Sequence, residues 1–186
     1  MSSPSAVRVG PSGIHGLGVF TTRGIDAGAT VLGIDDSRIV DAVHPLRAAR
    51  GEYPYHCDYL AEGRVVLMAS PERHINSSCE PNTFVEWRDA GRHVVARRAL
   101  DEGEEITYDY MIDCHGGQPW VCQCGSPRCL RSMPSSVFDL PVAALCARLP
   151  YLSHWFVVEH AELVEDARRR CTNRIDSLGY RKSGHV

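Results

Sequence analysis

Apolar residues in the first 133 positions fall into short β-branched or aromatic runs: Val19-Phe20-Thr21-Thr22, Arg64-Val65-Val66-Leu67-Met68, Thr83-Phe84-Val85-Glu86-Trp87, Arg92-His93-Val94-Val95-Ala96 and Glu105-Ile106-Thr107-Tyr108. Turn signals such as Asp89-Ala90-Gly91 and Glu102-Gly103 separate them, a pattern that predicts short antiparallel strands in small sheets rather than βαβ units. The segment 41–52 reads as a short helix or a loop. After Met133-Pro134 the period changes. Ser136 with Asp139 resembles a capping pair, and Val142, Leu145, Cys146 and Leu149 then recur at helical spacing until Pro150. From Ser153, Val157, Ala161, Val164, Ala167, Cys171, Ile175 and Leu178 step by three or four, with Glu159, Glu162, Glu165 and Asp166 ahead of Arg168, Arg169, Arg170 and Arg174. This acid-first order suits a helix dipole. The stripe is read as intramolecular core, with homodimerisation through the C-terminal helices as the alternative.

Composition narrows the class. The chain has 186 residues, 44% hydrophobic and 23% charged, enough for one globular domain of ordinary size. No apolar run approaches the ~20 residues that span a bilayer, and Met1-Ser2-Ser3-Pro4-Ser5 lacks the order of a secretory signal. The expectation is a cytoplasmic or nuclear protein with no membrane partner; a secreted effector acting in a host cell stays open. A net charge of −3 offers no overall basic field for a phosphate backbone, so nucleic acid is not the expected partner. The eight Cys are unevenly placed, which suits a reducing compartment and one metal site better than a disulfide framework.

Three constellations carry chemistry. Cys122-Gln123-Cys124-Gly125-Ser126-Pro127-Arg128-Cys129 has C-x-C-x4-C spacing, three thiolates of a four-ligand structural zinc site. Spacing leaves the fourth ligand open among Cys79, Cys114, Cys57 and His115. The second is Arg73-His74-Ile75-Asn76-Ser77-Ser78-Cys79-Glu80-Pro81-Asn82, and the third is Gly103-Glu104-Glu105-Ile106-Thr107-Tyr108-Asp109-Tyr110. Ahead of them stand His15-Gly16-Leu17-Gly18-Val19-Phe20 and Ile25-Asp26-Ala27-Gly28-Ala29-Thr30-Val31. In this order the blocks resemble the SET-domain protein-lysine N-methyltransferases with a post-SET zinc motif, over roughly residues 7–130.

The resemblance implies a mainly β SET fold, small antiparallel sheets with a knot-like core, plus a C-terminal α-helical extension. The implied division is a SET domain over 1–113, a post-SET segment over 114–133 and helices over 134–186. It implies S-adenosylmethionine as cofactor and a lysine-containing protein as partner, histone tails first, with mono- or dimethyl-lysine as product. Gly16, Leu17 and Gly18 would lie against the cofactor, Asn76 would bond its methionine end, and the backbone of Ser77 its adenine edge. Arg73 would pair with its carboxylate, Tyr55 would line the cofactor or lysine pocket, and Trp120 and Gln123 would lie over the adenosine. Cys79 would complete a zinc site with Cys122, Cys124 and Cys129. Tyr110 would orient amine and methyl as the principal catalytic group, with Tyr108 anchoring a water that limits methylation. Ser77 stands where the family usually has His, which touches cofactor affinity and motivates the competing reading, a catalytically silent module that binds lysine-bearing tails. Two further readings stay open: Lys182, the only lysine, as an automethylation or pseudosubstrate site against a disordered terminus, and Asp35, Asp36, Asp101, Glu102, Glu104 and Glu105 as steering a basic peptide against forming a solvated face.

Overall fold

The computed structural model describes residues 5–89 and 91–180, the last six by their backbone. Lys182 lies outside them. The chain forms strands β1 (Val7–Pro11), β2 (Leu17–Thr21), β3 (Thr30–Gly33), β4 (Ile39–Val40), β5 (Cys57–Tyr59), β6 (Val65–Leu67), β7 (Asn76–Ser77), β8 (Thr83–Arg88), β9 (Gly91–Ala96), β10 (Glu105–Tyr108), β11 (Trp120–Val121) and β12 (Ser132–Met133). Helices α1 (Val142–Arg148), α2 (His154–Glu159) and α3 (Ala161–Tyr180) follow. Two compact units result: one holds the chain up to Asp109 together with Gln123–Cys129, the other Tyr110–Cys122 together with the chain from Leu130 on.

In the first unit, each of the five β-branched runs becomes a strand. One sheet has the order β1-β2-β10-β7, a second β3-β9-β8 and a third β4-β6-β5. The apolar runs build the core: Val19 and Ile106 face each other in the β2–β10 register and are fully buried, and Val7, Ile25, Val31, Ile75, Val94, Ala96 and Leu100 are buried with them. Burying aliphatic side chains of this size contributes about 1.5–3 kcal/mol each. The segment 41–52 is a loop ending in a single 3-10 turn at Ala48–Arg50. Arg92 on β9 is buried and ties two distant segments: its Nε and Nη2 donate to both oxygens of Asp36 at 2.8 and 2.6 Å, and Nη1 donates to Asp58 on β5. Burial alone would lower its pKa, and the two carboxylates overrule that and hold it above the ordinary arginine value.

The second unit differs from the sequence reading in three places. Ser136 caps a 3-10 turn, Val137–Asp139, by accepting from the Phe138 N–H at 3.2 Å; α1 begins later, after Pro141. The helical stripe from Ser153 is not one helix, because the backbone leaves helical geometry at His160 (φ −117°, ψ 34°). The His160 ring packs on Phe156 and His115, with centroids 4.5 and 4.8 Å away. Phe156, Val164 and Ala167 are buried, whereas Ala161 is exposed and Val157 half-buried. Cys146 on α1 and Cys171 on α3 form a disulfide, departing from the all-reduced expectation. The two helical stripes place them opposite each other, with Cα atoms 5.6 Å apart.

Candidate active site and metal centre

The site begins at the turn between β1 and β2. These strands pair from Val7↔Thr21 to Pro11↔Leu17, and the turn closes through Ser12 N–H donating to Gly16 C=O at 3.0 Å. Ser12 Oγ accepts from the backbone N–H groups of Ile14 (2.9 Å) and His15 (3.3 Å). Gly16 has φ +50°, and a Cβ built there meets nothing within 4 Å, so this side of the turn is open. Gly18 is the opposite case. A Cβ there would lie 2.9 Å from Glu105 Cδ and 3.0 Å from Ser12 Cβ, so glycine is required by the protein's own packing.

Asn76 opens β7, which runs parallel to β10 with Thr107↔Asn76 and Tyr108↔Ser77 opposite each other. Ser78 N–H extends this contact to Tyr108 C=O at 2.9 Å. The buried Asn76 amide has Nδ2 within 3.0–3.1 Å of four acceptors: Ser12 Oγ, His15 O, Leu17 O and Glu105 Oε1. Its two hydrogens are consumed by the protein, while Oδ1 accepts no bond among the described residues. Asn82 binds the same strand from its other end. Its Oδ1 accepts from Thr107 N–H (2.8 Å), and its Nδ2 donates to Glu104 Oε1 (2.9 Å) and Glu105 O (2.8 Å). The Asn-rich loop and the Tyr-x-Tyr segment are thus fastened by backbone pairing and by two Asn amides.

Tyr108 is half-buried against the core, Asp109 is buried, and Tyr110 is 43% exposed. Tyr55 is 73% exposed and stacks on Tyr53 with centroids 5.2 Å apart. Arg73 donates through Nε to His74 Nε2 at 3.3 Å. Burial, followed by the charge of Arg73, holds the His74 and His56 imidazoles below their ordinary pKa of 6.5. His56 Nδ1 is buried with no hydrogen-bond partner among the described residues. Leu17 is 48% exposed, Trp120 is half-buried on β11 and Gln123 is exposed.

The sulfurs of Cys79, Cys122, Cys124 and Cys129 lie within 4.8 Å of one another. Four thiolates at ~2.3 Å from zinc stand about 3.8 Å apart in a tetrahedron, so this donor set fits a structural zinc with modest contraction. Of the four ligands left open by spacing, Cys79 is the one gathered; Cys57, Cys114 and His115 stay outside the group. Local chemistry shapes it. Cys129 N–H closes a turn on Ser126 O (3.0 Å), Gly125 takes φ +70°, and Cys122 N–H donates to Arg131 O at 2.7 Å. Arg128 N–H donates to Glu80 Oε2 (3.2 Å), and Arg128 Nε lies 3.6 Å from Glu80 Oε1, tying the neighbours of Cys129 and Cys79 together.

Sequence reasoning missed Ser12, Asn82 and Glu105 as site-building residues. Asn82 and Glu105 sit inside quoted motifs, whereas Ser12 gives no signal beyond a turn composition. Four of the six carboxylates read as a steering face have partners inside the protein: Asp35 with the Ser37 N–H, Asp36 with Arg92, Glu104 with Arg98 and Asn82, and Glu105 with Ser12 and Asn76.

Comparison with known proteins gives this geometry its class. Residues 16–111 match the sequence model of the SET domain, and the chain belongs to the SET-domain family. It is 35% identical to human histone-lysine N-methyltransferase 2B over 141 residues, which is 70% of this chain and 5% of that protein. It is 45% identical over 65 residues to a Candida albicans histone-lysine N-methyltransferase, H3 lysine-36 specific, covering 33% of this chain and 8% of the relative. With the Drosophila melanogaster histone-lysine N-methyltransferase ash1 it shares 41% over 85 residues, 40% of this chain and 4% of the other. The chain therefore spans less than a tenth of each of these relatives. No helix among the described residues is long and apolar enough to cross a membrane.

Proposed function

We propose that the protein is a protein-lysine N-methyltransferase that uses S-adenosylmethionine and holds one structural zinc. The observation that carries this reading is the parallel pairing of Asn76-Ser77 with Thr107-Tyr108, fastened to the Gly16-Leu17-Gly18 turn. Bound at this site, the cofactor supplies an electrophilic methyl on a sulfonium. Asn76 Oδ1, the amide atom not consumed by the turn, accepts from the ammonium at the methionine end of the cofactor. The open side of Gly16 admits the ligand, the Ser77 backbone meets the adenine edge, and Arg73 attracts the carboxylate. Trp120 and Gln123 cover the adenosine, and Tyr55 lines the way in. Cys79, Cys122, Cys124 and Cys129 hold the zinc, which keeps the segment around Gln123 ordered.

A free lysine, with pKa about 10.4, is protonated at neutral pH and must lose a proton before its nitrogen attacks. A narrow channel formed on ligand binding would disfavour the ammonium form and align nitrogen, methyl and sulfur. The cofactor would supply the methyl group, its C–S bond breaking as the N–C bond forms, and would leave as a neutral thioether. Tyr110 orients the amine through its hydroxyl. Tyr108, holding a water beside the amine, stops the reaction at mono- or dimethyl-lysine, so Tyr108→Phe shifts the product towards higher methylation. Histone tails are the first substrates to test, since the relatives are named for them, and action on histones would place the protein at chromatin. The deciding experiment is methyl transfer from labelled S-adenosylmethionine to histones and a lysine peptide array, wild type against Tyr110→Phe. Transfer abolished in the variant supports the reading; wild-type protein that holds zinc but neither binds cofactor nor transfers methyl supports the silent module that Ser77 motivates.

A further inference from the structure

We infer that Ser12 and Glu105, neither of which touches the proposed ligand, are positioning residues that set the cofactor affinity of the site by holding Asn76 and the β1–β2 turn in their binding geometry. The inference rests on the cofactor reading above. The turn is a poor candidate for self-organisation: Gly13 and Gly16 give it wide conformational freedom, and within it the backbone closes through Ser12 N–H on Gly16 O. What fixes it comes from far along the chain. Ser12 donates its one hydroxyl hydrogen to Glu105 Oε1 at 2.7 Å across 93 residues, while Oγ accepts from two N–H groups of the turn and from Asn76 Nδ2.

Glu105 has two effects. Its carboxylate occupies the space above Gly18 that any side chain would claim, seating β2 against β10. It also orients the Asn76 amide. With Nδ2 ringed by a carboxylate, two carbonyls and a hydroxyl, the flipped amide would set Oδ1 against four oxygens, so the arrangement selects the rotamer that leaves Oδ1 to a ligand. Removing the carboxylate frees the amide to turn and the turn to move, which weakens binding of a cationic ligand group without touching the chemistry at Tyr110.

The test is calorimetric binding of S-adenosylmethionine and steady-state kinetics on the full chain, for wild type, Ser12→Ala, Glu105→Gln and Glu105→Ala, with zinc content and melting temperature measured for each. Losing a hydrogen bond to a charged group predicts about a tenfold rise in cofactor Kd and KM for Glu105→Ala, and about threefold for Ser12→Ala. kcat and zinc content should hold. Glu105→Gln keeps an acceptor oxygen and should stay within about threefold of wild type. A purely structural role would lower the melting temperature and leave the Kd of the folded fraction unchanged. As a second route that does not depend on Glu105→Ala folding, Gly18→Ala is made alone and with Glu105→Ser. The added methyl clashes with the Glu105 carboxylate, so its cost should shrink in the double variant. Wild-type binding with an unchanged Kd in folded Ser12→Ala and Glu105→Ala, or an equal Gly18→Ala cost in both backgrounds, overturns the clamp alone. No cofactor binding by wild type overturns the cofactor reading with it.

Discussion

Two loops of this molecule, each with a glycine at positive φ, reach order by opposite means. The β1–β2 turn is held by hydrogen bonds from Ser12, Asn76 and Glu105, all supplied by the chain itself. The loop from Cys122 to Cys129 brings three sulfurs to that of Cys79, a donor set that a metal ion would hold together. The first is prepaid during folding, while the second is conditional on metal. The difference teaches that the two walls proposed for the cofactor respond to different insults, one to mutation of buried acceptors, the other to chelation or oxidation.

Metal removal gives the sharpest separation. Structural zinc sites contribute about 10–16 kcal/mol of apparent binding energy in small domains. Cys129→Ser should therefore lack the one equivalent of zinc expected for the wild type in elemental analysis, and should expose the Cys122–Cys129 loop to proteolysis. Glu105→Ala should keep its zinc, and a loss there would break the comparison. Next comes the cross-link outside both loops. Reducing Cys146–Cys171, which spans 25 residues, should cost about 3 kcal/mol in urea unfolding with zinc retained. Asn82→Ala, which strands the Thr107 N–H and removes the donor to Glu105 O, should cost about 2 kcal/mol and loosen β10 in hydrogen exchange.

A smaller effect is expected with pH. The neutral His56 and His74 are favoured in the folded protein by burial and by Arg73, so their folded pKa values lie below the unfolded 6.5. The stability they contribute is present above that value and is lost as pH falls through it, because the unfolded chain takes up the protons first. The melting temperature should drop between about pH 7 and pH 5.5, and a His56→Gln, His74→Gln double variant should flatten that limb. The smallest effect is at the surface: Arg128→Ala breaks an exposed pair with Glu80 and should change stability by less than about 1 kcal/mol. A large zinc loss in that variant would show that the metal loop is also held by the chain.

The strands were legible because their β-branched and aromatic runs are bounded by turn residues, as in Glu105-Ile106-Thr107-Tyr108 after Glu102-Gly103, and the helix of Val142 to Arg148 because Leu145 and its neighbours repeat at 3.6. The break at His160 was not, since it depends on the aromatic contacts of Phe156 and His115 rather than on local propensity. Among the thiols, the cluster was visible from three cysteines at close spacing, whereas Cys79 came from resemblance and the Cys146–Cys171 pairing from tertiary packing. The clamp was invisible for the same reason. A serine at position 12 and a glutamate at position 105 read as turn and surface until the fold sets them 2.7 Å apart.

The order in which the chain is made gives that contact a further meaning. Synthesis delivers the glycine turn first, Asn76 some sixty residues later and Glu105 later still, and the parallel strand at Thr107 can pair only when both are present. Contacts of such long sequence separation close late, after their loop entropy has been met by the local hairpins. A nascent chain released before β10 would carry its hairpins and its glycine turn yet have no competent pocket. Premature termination should therefore leave a fragment that binds nothing and so is blind to the ligand that stabilises the finished protein.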